Sequence, residues 1–91
     1  MELRDTDLQR RKVITSDGVE IGVGAGVYFD PASFEVTAVA VKLHPAATKE
    51  VGAKKPLFGR AELRIPVEGI SGIADAIILR GTVGSLADGQ R

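Results

Sequence analysis

The longest regular pattern in the chain is VEIGVGAGVYFD, where Val19, Ile21, Val23, Ala25, Val27 and Phe29 alternate with Glu20, Gly22, Gly24, Gly26 and Tyr28. Period-two alternation of this kind predicts a long strand with one buried face, the odd-numbered one. Asp30-Pro31-Ala32-Ser33 turns the chain, and FEVTAVAVKL returns it as a second long strand. Val39, Val41 and Leu43 share one face of that strand, and Val36, Ala38 and Ala40 share the other. Neither face is polar, so the second must be covered by the chain's own long loop or by another molecule.

Upstream, RKVIT reads as a short strand, and Ser16-Asp17-Gly18 links it to the long one. Asp-Gly between β-rich runs predicts a type I′ hairpin turn. Downstream of His44 the alternation stops. PAATKEVGAKK suits one short helix, with Pro45 in its first turn and Gly52 near its end. ELRIPVEGI then resumes the β pattern with Leu63, Ile65 and Val67 inward. Pro66 lacks the donor that a ladder needs, which puts this strand at an edge or on a bulge. AIILR is the last strand, and GTVGSLADGQR reads as a loose tail. The expected whole is all-β: a small, partly open β-barrel with one short helix or long loop between the long hairpin and the last strands.

Composition narrows the function. Ninety-one residues make one domain, and 12 basic against 12 acidic side chains leave no net charge. A general nucleic-acid binder carries a basic surplus, so direct nucleic-acid binding is not expected. With no cysteine there is neither a disulfide framework nor a thiolate site. MELRDTDLQRRK mixes acids with bases around no apolar centre, unlike a signal peptide, and no apolar run approaches the ~20 residues of a bilayer span. A cytoplasmic chain is expected.

The chemistry-bearing motifs are few. Gly22, Gly24 and Gly26 evoke a phosphate loop, but they alternate inside a strand and no Gly-Lys-Ser/Thr follows. They read instead as places that let a long strand coil and let another backbone or side chain sit against it. His44, the only histidine, ends a strand with no ligand-spaced neighbour and suits a turn or cap. No catalytic, metal or cofactor-binding residues are expected. Two features point outward. KKPLFGR sets Leu57 and Phe58 among Lys54, Lys55 and Arg60, so the apolar pair either plugs the barrel or is displayed to a partner. Phe34 stands where the hairpin connection calls for glycine, and an aromatic at a hairpin tip raises the odds of a contact.

KVITSDGVEIGVGAGVYFDP, EVTAVAVKL and KKPLFGRAELRIPVEGISGIADAIIL together resemble the PRC-barrel family, in particular its short stand-alone archaeal members. The same barrel occurs in the reaction-centre H subunit and in the ribosome maturation factor RimM. The chain departs from the family pattern at Phe34, usually glycine, and at residues 24–26, commonly bulkier. The resemblance implies a docking module without catalysis, and for the stand-alone archaeal type an adaptor of FtsZ-based division associated with the membrane anchor SepF. It would reach the membrane only through that partner, at the inner face of the division site. A RimM-like, ribosome-linked accessory role is the alternative.

The resulting organisation is a flexible arm over residues 1–10, the barrel over 11–80 and a flexible tail over 81–91. A homodimer or higher homo-oligomer is expected, because a small barrel leaves strand edges. The candidate partner or dimer contacts are Phe34, Val36, Ala38, Ala40, Lys54, Lys55, Leu57, Phe58, Arg60 and Pro66.

Overall fold

A computed structural model describes residues 2–53 and 59–89. The chain runs α1 (Asp5–Leu8), β1 (Lys12–Ile14), β2 (Glu20–Phe29), β3 (Val36–Leu43), α2 (Pro45–Glu50), β4 (Glu62–Pro66), a 3₁₀ turn (Val67–Gly69), β5 (Ile70–Ile73), β6 (Ala76–Leu79) and α3 (Val83–Gly89). The strands form a six-stranded sheet in the order β4-β3-β2-β1-β6-β5, antiparallel except between β1 and β6. Strands β4 and β5 lie at opposite ends of that order, yet only the 3₁₀ turn joins them. The sheet must therefore curl until its ends approach. Since the two do not pair, the result is a partly open barrel, as expected, with the proline-bearing β4 at an edge.

Val13, Ile21, Val41, Leu43, Ile77 and Leu79 are almost fully buried at the barrel's centre, with Val39, Leu63 and Ile65 beside them. Val39, Val41 and Leu43 are thus the inward face of β3, as their spacing indicates. Strand β2 differs from its pattern. Its ladders skip Ile21 against β1 and Ala25 against β3, so two bulges each add a residue. Between them the faces invert. Val23 pairs with the exposed Lys12 and Lys42 on the outer surface, while Gly22 pairs with the buried Val13 and Leu43. Strict alternation made Val23 a core residue because period-two counting fails at a bulge.

The inverted stretch explains the glycines. A Cβ on Gly24 would lie 2.0 Å from the Leu8 carbonyl oxygen, and one on Gly22 would lie 2.1 Å from that of Lys42. Gly24 lets the N-terminal segment sit directly on β2. There Arg10 N–H donates to Gly24 O, and Gly24 N–H donates to Arg11 O, both at 2.8 Å. Leu8 is buried in the core as a result. The far end also folds inward: residues read as a loose tail form α3, whose Val83 and Leu86 pack on the core. Helical spacing of those two apolar residues was too short a signal beside three glycines.

Two turns follow local chemistry. At the first hairpin Gly18 has φ 84°, and Asp17 is not at positive φ. Thr15 N–H donates to Val19 O, and Gly18 N–H to Thr15 O, both at 2.9 Å. This is a type I turn with a glycine bulge, in place of the expected type I′, which needs two positive φ values. Helix α2 starts at Pro45 and ends with Gly52 at φ 74°, where Ala53 N–H reaches Thr48 O at 3.0 Å and Gly52 N–H reaches Lys49 O at 3.2 Å. That double bond closes the helix with a Schellman cap, the role glycine fills there.

Candidate functional site

The β2–β3 hairpin tip carries the clearest display of apolar side chains. Asp30 builds the turn: its Oδ1 accepts from Ala32 N–H at 2.8 Å, and its carbonyl accepts from Phe34 N–H at 2.7 Å. Ser33 Oγ accepts from Glu35 N–H at 3.2 Å, and Asp30 N–H closes the loop on Glu35 O at 2.9 Å. This network holds Phe34 at φ 61°, the left-handed region that glycine fills without strain. A side chain there costs roughly 1–2 kcal/mol. The strain is not offset by burial, since Phe34 is 77% exposed. Instead its ring stacks on Phe29, with centroids 5.9 Å apart and planes 8° from parallel, and Phe29 is itself 51% exposed.

The apolar surface extends from the tip along the outer face. Val36 lies opposite Phe29 in the ladder, and both are exposed. Tyr28 follows, its ring capped by the Arg64 guanidinium 5.2 Å from the centroid. Pro66 and Val67 continue the surface at the end of β4, both exposed. Ala38 pairs with Tyr28 on one side and Pro66 on the other, and Ala40 pairs with Arg64. On the second face of β3, Ala38 is buried between Tyr28 and Pro66 and Ala40 between Gly26 and Arg64, while Val36 stays exposed. The neighbouring strands flank both alanines, in place of the expected long loop or other molecule. Ala38 and Ala40 form the floor under the surface and do not present themselves. Phe34, Val36 and Pro66 do. Phe29, Tyr28 and Arg64 join them, and no sequence signal separated Phe29 from a core strand residue.

Arg60 belongs to a different place. Its Nε donates to Leu43 O at 3.0 Å, and Nη2 donates to His44 Nδ1 at 2.8 Å. With Nδ1 accepting, the ring proton sits on Nε2, which donates to Glu20 Oε2 at 2.7 Å. Lys12 Nζ lies 3.8 Å from the other carboxylate oxygen. His44 occupies the N-cap position of α2, but its side chain makes no cap bond and clasps β2 to the entry of β4 instead. Its partners are 24 and 16 positions away, beyond any local pattern.

Lys54, Lys55, Leu57 and Phe58 lie outside the described residues. Hollows lie among the described residues. One, of about 350 Å³, is bordered by Leu43, Pro45, Thr48, Ala53 and Arg60; another, of about 370 Å³, is bordered by Arg10, Val23, Lys42 and Arg60. Among the described residues no group of three or more His, Asp or Glu side chains is placed to hold a metal ion. No helix among them is long and apolar enough to cross a membrane. A family model described as the PRC-barrel domain matches residues 1–86. No curated protein matches the chain.

Proposed function

The chain belongs to the PRC-barrel family, a family of protein-interaction domains, and on that premise we propose that it is a non-catalytic adaptor of archaeal FtsZ-based cell division that docks on the membrane anchor SepF. The hairpin tip is the docking surface. The observation that carries it is the exposed Phe29–Phe34 stack, held by a strained backbone. Strain kept without burial marks a site where something other than folding selects the residue. Exposed aromatic rings beside an arginine are also the composition of interface hot spots.

Calorimetric titration of the protein with a purified SepF tests the reading. Replacing Phe29 and Phe34 together by serine should weaken binding by at least ~30-fold, the equivalent of about 2 kcal/mol, with the circular dichroism spectrum unchanged. Undiminished affinity in that variant would reject the tip as the docking surface. Failure of the parent protein to bind SepF, together with co-sedimentation with ribosomes, would reject the division role in favour of the RimM-like one.

A further inference from the structure

We infer that two copies of this chain join across a two-fold axis by antiparallel pairing of β4 with β4 of the second copy. One step beyond the paired residues Lys42 and Glu62, Leu43 N–H donates to Ala61 O at 2.8 Å. Bonded and unbonded pairs alternate along an antiparallel ladder. Val41–Leu63 and Val39–Ile65 are therefore the bonded pairs, and Lys42–Glu62, Ala40–Arg64 and Ala38–Pro66 the unbonded ones. It follows that Glu62, Arg64 and Pro66 turn their main-chain polar groups away from β3, toward the open edge of the sheet. Pro66 has no N–H, so Glu62 and Arg64 supply the donors there. Among the described residues no strand pairs with this edge. The opposite edge is a poorer template, because the β5–β6 ladder is irregular between Ile70 and Gly72.

Charge selects both the occupant and the register. A two-fold axis through Leu63 sets Glu62 of each copy opposite Arg64 of the other, as a bonded pair with complementary side chains on the exposed face. Shifting the axis to Glu62 or to Arg64 would place like charges opposite each other, which is unfavourable. The Leu63-centred register is thus the one in which this edge complements itself, the requirement of an isologous interface. The paired edge shares Arg64 with the outer surface beside the hairpin, but the pairing itself rests on the β4 backbone and on no adaptor role.

Sedimentation equilibrium with charge exchange tests it. The parent protein should populate a dimer at high micromolar concentration. Glu62→Arg opposes two arginines at each contact and Arg64→Glu opposes two glutamates, so each should weaken the dimer by about tenfold or more. Mixing the two variants restores both complementary pairs, and the mixture should form a heterodimer with near-parental affinity. The doubly exchanged variant should do the same alone. Amide exchange supplies a second readout: Glu62 and Arg64 amides should become protected as concentration rises, while those of Leu63 and Ile65 stay protected throughout. A monomer at all concentrations, or association indifferent to the charge exchanges with Glu62 and Arg64 amides still exposed, would overturn the inference.

Discussion

Phe34 sets a local cost against a surface property. Replacing it by glycine removes a left-handed side chain worth roughly 1–2 kcal/mol of strain. The same change loses the Phe29 stack, worth about 0.5–1.5 kcal/mol, and about 0.5–1 kcal/mol through the freer unfolded chain. Urea unfolding of Phe34→Gly should therefore stay within about 1 kcal/mol of the parent. A loss above about 2 kcal/mol would mean that Phe34 supports the fold. Part of this was legible beforehand, because the turn chemistry of Asp30-Pro31-Ala32-Ser33 calls for glycine at that place. That Phe29 would turn outward and meet it was not legible, since Phe29 ends a run that otherwise reads as one face of a strand. His44 shows the same limit, with both of its partners set by topology alone.

At the scale of elements, β2 decides the most. Its two bulges invert the faces between Ile21 and Ala25, and the glycines there let the N-terminal segment dock. Gly24→Val should push Leu8 and its helix off the sheet, costing about 1–3 kcal/mol in urea unfolding. Faster exchange of the Arg10 amide, which bonds Gly24 O, should accompany it. Unchanged stability and exchange would show that the segment is not seated on Gly24. The sequence marked these glycines as points of close approach but could not show what approaches, because Leu8 has no periodic neighbours. Helix α2 was more fully legible, since Pro45 and Gly52 state its start and stop in local chemistry. Strand β4 was legible in its edge position, through Pro66, but Val67, read as inward, is exposed because the alternation ends at Pro66 and the chain enters the 3₁₀ turn.

At the scale of the whole molecule, one small core has to hold a sheet that does not close. Leu43 is fully buried where β3, the entry to β4 and the hollow beside α2 meet. Leu43→Ala should cost about 2–5 kcal/mol, a large share of what a domain of this size possesses. A thermal scan showing a loss below about 1 kcal/mol would place the core elsewhere. Burial, however, leaves the outer surface to explain, and there the described residues display the exposed Phe29–Phe34 pair beside Tyr28. The proposed docking of a protein partner falls on this pair. Amide shift mapping of the isotope-labelled chain, titrated with unlabelled SepF, locates the contact residue by residue. Perturbation should concentrate at residues 28–36 and at Arg64 and Val67, with α3 and β6 unaffected. Shifts centred on any other part of the barrel, with the tip unchanged, would rule out docking at the tip.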